Sequence, residues 1–348
     1  TTLAISLKSG TSSLSDVVVI GYGSAKRANL TTAQTTVTAR ELDKTINTTV
    51  EQALQGRSAG VYITQNSGQP GGGMSVNIRG VSSINGSTEP LYVIDGVQIQ
   101  GESVRFGAQS SANPLSGLNP ADIEDIQVLQ GPSATAVYGS RATNGVLLIT
   151  TKRGKSGDAK LNYGFQYNLQ TPPRPLEVMN LQQYAQMVKE FHAIAGGETP
   201  LEFLDPSLLG EGTDWQGELF KNAPMVKHQL SMSGGNDKTT YYMSGEYLNQ
   251  DGVALGSGFD RYSFRVNLDN KPRDWVTINT NLSFNQTNES LTTSQENIIS
   301  NALQLTPQIP VKNIDGSWGG GDLNNGANQF APVNPIAIAN LTTNEYVR

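Results

Sequence analysis

Two histidines, His192 and His228, and no cysteine are the whole stock of soft or borderline metal ligands in this chain of 348 residues. Zinc sites and nucleophilic triads draw on several such groups held together, and neither histidine has a second strong ligand near it in sequence. Each reads as a surface or strand residue. No metal site, catalytic set or cofactor is expected, and the protein is not expected to be an enzyme. Carboxylate pairs such as the adjacent Glu124 and Asp125 could in principle serve acid–base work, but this pair is not read as catalytic. Val17 to Ile20 followed by Gly21-Tyr22-Gly23 mimics the opening of a dinucleotide-binding turn, yet Lys26 stands where the third glycine belongs. The loop Gly68 to Gly73, GQPGGG, lacks the Lys-Ser/Thr of a phosphate loop.

What remains is chemistry carried by backbone. Val17, Val18, Val19 and Ile20 form a β-branched run between Asp16 and Gly21, with no partner strand evident nearby in sequence. An unpaired strand can add its N–H and C=O groups to the sheet edge of another protein with little demand on side chains. About four such bonds at a net ~0.5–1.5 kcal/mol each would give a reversible hold. Arg79 and Asp95 are read as structural, as partners in charge pairs.

The elements that position these residues follow from local signals. Thr48 to Glu51 has the spacing of a capping box, with Ala53-Leu54 and Gly56 completing a short helix before a strand at Val61 to Thr64. Val76 to Arg79 alternates, Asn85-Gly86 marks a turn, and a strand from Leu91 to Ile94 ends at Asp95-Gly96. Asn119 caps a turn with Pro120 at its first position, Ile126 to Leu129 is apolar, and Gly131-Pro132 stops it. Ser133 then caps a helical turn through Tyr138, with Gly139 at its end, and Val146 to Thr151 is a second strand broken at Lys152-Arg153-Gly154.

Beyond Gly154 the period becomes two. Leu161, Tyr163, Phe165, Tyr167 and Leu169 alternate with polar residues. The same rhythm returns through Tyr241 to Tyr247, Tyr262 to Leu268 and Val276 to Phe284, and more weakly through Lys227 to Ser233. Turns alternate short and long: Gly234 to Lys238 and Asp269 to Asp274 are tight, whereas Thr171 to Pro224 and Asn288 onward are long. Strands this regular suit a barrel with lipid outside and water inside, although a half-buried soluble sheet shows the same alternation. An amphipathic helix capped by Asn180 runs from Leu181 to Gly196 in the first long loop.

Composition agrees with an envelope protein. Only 36% of residues are hydrophobic and 16% charged, and Gly, Ser, Thr, Asn and Gln fill the difference. A net charge of −6 without any basic run argues against nucleic acid as a partner. No apolar stretch is long enough for a membrane helix, which leaves spanning β-strands open. The start at Thr1 without a signal peptide reads as processed or truncated.

The run from Ile123 to Lys152, with its Gly-Pro-Ser-Ala and Tyr-Gly-Ser cores, resembles the end of the plug domain in TonB-dependent outer-membrane transporters. VNIRG at Val76 to Gly80 and PLYVIDGV at Pro90 to Val97 resemble further plug elements. DVVVIGYG at Asp16 to Gly23 is similar to the energy-coupling segment of the SusC/RagA branch, and TDWQGELF at Thr213 to Phe220 also resembles that branch. Where the branch usually reads KDASA, this chain has Gln130-Gly131-Pro132-Ser133-Ala134.

The resemblance implies an α+β plug domain followed by antiparallel transmembrane β-barrel strands. Residues 1–23 would be a lead with the coupling segment, 24–154 the plug, and 155–348 the first part of the barrel with long extracellular loops. A barrel able to house a plug has about 22 strands, so the chain reads as the front of a longer protein. The implied function is active import of a nutrient, a glycan, oligosaccharide or peptide, across the bacterial outer membrane. The implied partners are TonB, a SusD-like lipoprotein lid, the ligand and outer-membrane lipid. Asp16, Val17, Val18, Val19, Ile20 and Gly21 would meet TonB. Arg79, Asp95, Gly96, Glu124 and Arg141 would serve plug structure and its interface, with Arg141 placed to pair with carboxylates on the lumen wall. The alternative is a secreted or surface β-rich adhesion protein.

Overall fold

The computed structural model describes residues 17–20, 23–26, 34–42, 47–66, 68–81, 83, 88–99, 105–106, 110–111, 115–130, 136–172, 174–290, 298–320, 333–341 and 345–347. At the N-terminal side, β1 (Val17–Ile20) pairs antiparallel with β2 (Gly23–Lys26), Val17 opposite Lys26 and Ile20 opposite Gly23. This corrects the expectation of an unpartnered strand. The β2 sequence Gly-Ser-Ala-Lys has no β-branched residue to announce it. An antiparallel hairpin also removes the dinucleotide reading, which needs a helix after the glycines.

Residues 34–151 build an α+β body. Its strands are β3 (Gln34–Thr38), β4 (Val61–Gln65), β5 (Met74–Ile78), β6 (Leu91–Ile94), β7 (Val97–Ile99), β8 (Arg105–Phe106), β9 (Ser110–Ser111), β10 (Ile123–Leu129) and β11 (Val146–Thr151). The main sheet has the order β3-β10-β11-β6-β7, with β6 parallel to β11 and the other pairs antiparallel. The ribbon β4-β5 covers it, and Val37, Leu54, Val76, Tyr92, Ile126 and Leu147 form a common core. The short helix Val50–Leu54 is capped one residue later than expected. Thr49 accepts from the Gln52 N–H, and the Gln52 side chain reaches back to the Thr48 N–H and hydroxyl. Glutamine closes the box in place of glutamate because only its position is one turn beyond the residue with extended backbone. Asn119 caps a 3-10 turn at Pro120–Asp122 as expected. The turn through Tyr138 continues past Gly139, whose φ of 73° kinks two short 3-10 segments within Ala136–Ala142; Ser133 lies outside the described residues.

The wall consists of β12 (Gly157–Gln170), β13 (Ala223–Gly235), β14 (Thr239–Asp251), β15 (Gly258–Arg273), β16 (Val276–Ser290) and β17 (Glu345–Val347), paired antiparallel in chain order. The strands outrun their sequence signals, and β15 continues through Arg273, beyond the turn expected to begin at Asp269. Long loops all leave one end of this sheet and tight turns the other, as in an outer-membrane barrel. The helix Leu181–Ala195 carries the expected Asn180 cap, a capping box with Gln183 and a left-handed Gly196. The long segment from Asn288 onward carries elements of its own. Helices Ile298–Gln304 and Pro335–Leu341 pack on Trp215 and Leu219, and β17 adds to β16. Ile298, Ala302, Leu305, Ile336 and Ile338 supply enough apolar surface for a small loop core, which the Asn, Gly and Pro around them hide in the sequence.

Candidate functional site

Alternation along β15 sends Phe259, Arg261, Ser263, Arg265, Asn267 and Asp269 to the face that meets the α+β body, and Tyr262 and Phe264 to the opposite face. Five of those inward residues engage the plug in succession. Nearest the long loops, Phe259 lies against Gly71, which has φ +68° and where a Cβ would sit 2.2 Å from the ring. The close approach and the left-handed backbone both require glycine.

Arg261 comes next and is fully buried. Its Nε and Nη2 are each 2.7 Å from Glu246 Oε1 on β14, and Nη1 donates to the carbonyls of Thr48 (2.9 Å), Ser116 (3.0 Å) and Leu118 (3.4 Å). Lys227 on β13 brings its Nζ to 3.1 Å from Glu246 Oε2. Three wall strands thus share one buried charge cluster, and the plug enters it with backbone oxygens only. A guanidinium suits this task, since its fork presents donors to a carboxylate and to several carbonyls at once.

Further along, Arg265 places Nη1 3.6 Å from Asp95 Oδ2 and Nε 3.9 Å from Asp122 Oδ2. Tyr242 of β14 donates to Asp122 Oδ1 at 2.9 Å. Burial pushes the Asp122 carboxyl above its ordinary value, opposed by hydrogen bonds from Ser244 and Tyr242 and by Arg265, and reinforced by Glu246. Asp95 is fixed by the N–H (3.0 Å) and hydroxyl (2.7 Å) of Thr151. It sits in a left-handed turn with Gly96, at φ 49° and 86°, the geometry of a tight hairpin. Asn267 donates to the Thr151 hydroxyl (2.9 Å) and the Lys152 carbonyl (2.7 Å), and Arg153 pairs with Asp269 at 2.6 Å. At Gly154 a Cβ would stand 2.3 Å from the Tyr241 backbone nitrogen, so the connector passes directly over β14.

Of the residues singled out in the sequence, Val17 to Ile20 form β1, and Asp16 and Gly21 lie outside the described residues. Asp95 is in the contact with Arg265, and Gly96, exposed, completes its turn. Arg79 is exposed, with φ 60° and its N–H on the Gly60 carbonyl, 2.8 Å away. Glu124 is half-exposed and 3.7 Å from Lys155, a pair worth little in water. Arg141 is exposed and makes no ion pair with the carboxylates of these six strands among the described residues. Among the described residues no group of three or more His, Asp or Glu is arranged to hold a metal ion.

Arg261, Glu246, Lys227, Asp122 and Tyr242 were not picked out from the sequence. A signal was there: extending the polar frame of Ser263, Arg265 and Asn267 by two residues reaches Arg261. Opposite charges in the inward frame of adjacent strands mark a shared site.

Residues 26–146 match the TonB-dependent receptor plug domain family. The TonB-dependent receptor SusC of Bacteroides thetaiotaomicron is 36% identical over 356 residues, covering 96% of this chain and 34% of the relative. TonB-dependent receptor P26 of Formosa agariphila is 34% identical, with 96% of this chain and 32% of the relative covered. The chain therefore spans about a third of the length of these curated relatives. The RagAB peptide importer in its open-open state superposes with a TM-score of 0.68 at 30% identity, covering 78% of this chain and 32% of the other. Sequence, plug topology and plugged wall converge: the chain belongs to the SusC/RagA-like TonB-dependent receptors of the outer membrane, of which it holds the plug and the first strands of the barrel.

Proposed function

We propose that the receptor containing this chain imports a nutrient, a glycan, oligosaccharide or peptide, across the outer membrane by a TonB-driven displacement of the plug, without catalysing a reaction of its own. The observation that carries this reading is the chemistry of the plug–wall contact. The plug's apolar clusters are internal to residues 37–149, whereas its hold on the wall is made almost wholly of ion pairs and hydrogen bonds from β14 and β15. Such contacts can be exchanged for water as the plug moves, while the plug keeps its own core. Likeness to the RagAB peptide importer supports a peptide among the candidate ligands. A SusD-like lipoprotein at the long-loop face is the proposed lid. Division into a lead (1–23), plug (24–154) and barrel (155–348) is part of the same proposal.

Asp16 to Gly21 is the proposed contact for TonB. A two-stranded hairpin is marginal by itself, so β1 can leave β2, or offer its outer edge, to pair with an incoming strand. Asp95 is assigned to plug docking, and Arg79, Gly96, Glu124 and Arg141 to plug structure and its interface. A sandwich adhesin is disfavoured because the six-stranded sheet has the plug on one face and exposed Tyr, Phe and Leu on the other.

Deletion of residues 16–20 from the whole receptor, in its host, provides the test. Growth on a panel of oligosaccharides and peptides as sole nutrient should identify a substrate for the wild type and be lost in the deletion strain. Heat-modifiable migration on a gel should show a barrel in both. Wild-type growth of the deletion strain on that substrate would sink the proposal.

A further inference from the structure

The chain's negative charge is gathered in its first long loop. Residues 171–222 hold eight Asp and Glu against three Lys and Arg, a net of −5 where the whole chain has −6. Charge of one sign concentrated on a loop raises the local concentration of oppositely charged solutes and speeds their encounter. The loop is also held in shape. The Leu181 N–H donates to the Glu211 carbonyl (2.8 Å), and the Thr213 N–H and hydroxyl donate to the carbonyls of Pro307 (2.9 Å) and Ile309 (2.7 Å) in the later long segment. Gly212 lies between them at φ +80°, where a Cβ would stand 2.6 Å from the Pro307 oxygen. Backbone hand and crowding both require glycine there.

A groove of about 1120 Å³ opens between residues 175–179 and the helix Leu181–Ala195. Glu177, Glu190, Glu211 and Asp214 line it, and among the described residues no Lys, Arg or His does. Glu190 accepts from the Gln186 amide and Asp214 from the Gly217 N–H, both neutral donors. Arg174 meets Glu177 at 3.2 Å with both side chains in water, and Lys189 is turned to the Leu204 carbonyl, 2.9 Å away. The groove therefore keeps most of its charge. Val178, Met179 and Met187 are exposed apolar contacts along it, and no aromatic ring among the described residues gives a sugar a face to stack on. Its remaining side is backbone. Residues 174–179 run without helix, turn or bend, and the buried Gln216 amide pairs with Leu176 as a neighbouring strand would. The Leu176 N–H donates to Oε1 (2.9 Å), and Nε2 donates to the Leu176 carbonyl (2.8 Å). The backbone groups of Glu177, Val178 and Met179 have no partner among the described residues. In so straight a chain successive residues face opposite edges, so Glu177 and Met179 turn theirs away from Gln216.

We propose that this groove captures a short basic peptide in extended form, its backbone paired to Glu177 and Met179 and its Lys or Arg side chains set against Glu190, Glu211 and Asp214. The inference rests on the importer reading only for the peptide's later passage. Uncompensated carboxylates draw the cationic side chains, and the bare edge of residues 177–179 takes the peptide's N–H and C=O groups in register. Alternate side chains of the same peptide then reach Val178 and Met187. Because the loop is already tied to the later segment, little ordering is needed on binding.

Isothermal titration calorimetry of the whole receptor in detergent, with end-blocked Lys-Leu-Lys-Leu-Lys and Glu-Leu-Glu-Leu-Glu as probes, tests the site. The basic peptide should bind one to one and weaken as salt rises from about 0.05 to about 0.5 M, and the acidic peptide should not bind. Glu190→Gln combined with Glu211→Gln should weaken the basic peptide at least about fivefold. An analogue N-methylated at alternate residues loses its ladder donors and should bind the wild type at least about tenfold more weakly. If the double variant gives no heat-modifiable barrel, the N-methylated analogue decides, since it needs no substitution. Deletion of residues 16–20 should leave this binding intact, so loss of capture and loss of import are separate results. No binding of the basic peptide, equal binding of the acidic or N-methylated one, or full affinity in the folded double variant would overturn the proposal.

Discussion

Arg261 and Asp122 show how buried charges hold the plug to the wall. Removing the guanidinium leaves three plug carbonyls and half of the Glu246 carboxylate without a donor, although Lys227 stays. Loss of one partner from a buried pair costs about 3–5 kcal/mol. Arg261→Ala should therefore speed hydrogen exchange at 115–129 of the plug, while β14 and β15 amides keep their protection. Equal loss in plug and wall would place Arg261 in barrel folding instead. Asp122 works in the other direction. Its carboxyl is raised above 3.8 by burial first of all. A group raised in the folded state contributes stability below its unfolded value and loses it as pH rises through the folded value. Facing Tyr242, Arg265, Glu246 and Asp95, ionised Asp122 weakens docking at neutral pH relative to acid. Asp122→Asn, which still accepts from Tyr242, should raise the plug's melting temperature at neutral pH and have little effect at acid pH. An equal shift at both would show that ionisation is not the cause.

Elements were legible in the sequence in proportion to how local their cause is. Asn119-Pro120, the Asp95-Gly96 turn and the Asn180 cap each state their structure within a few residues, and each was read correctly. The period-two strands were also plain, because each side chain's face follows from alternation alone. What escaped depends on distant chain. β2 is a strand only because β1 lies beside it, and Arg261 is a docking residue only because two distant plug segments, at residue 48 and at residues 116–118, bring three carbonyls within its reach. Gly154 shows the value of close approach read at the level of elements. Any side chain there meets β14 backbone, which cannot rotate out of the way. Gly154→Val should displace the connector from Tyr241 and lower the yield of heat-modifiable receptor. Wild-type yield would mean the connector has room that its packing denies.

At the scale of the molecule, the wall is a sheet with two environments, and substitutions should sort by face and depth. Leu282 lies outward, two residues from Phe284 and well inside the apolar face, while Tyr262 lies at its edge, two residues from Asp260, which accepts from Asn249 at 2.8 Å. Leu282→Arg should lower folding stability by about 2–4 kcal/mol in lipid vesicles, and Tyr262→Arg by about 0–1. Equal costs at the two positions would misplace the bilayer. The sheet order within the plug carries a mechanical consequence as well. β3, nearest the N-terminus, is an edge strand bonded only to β10, whereas β11, which leads into the wall, is held between β10 and β6. A tug on the leading end thus meets a tear-strip: β3 peels away over its five residues and yields about 17 Å of slack at ~3.4 Å per residue before any interior strand is loaded. The trailing end is riveted by Asn267 and Asp269. Load and anchorage fall on opposite sides of β10, so the strip opens first and can re-close on β10 before the plug's wall contacts are loaded.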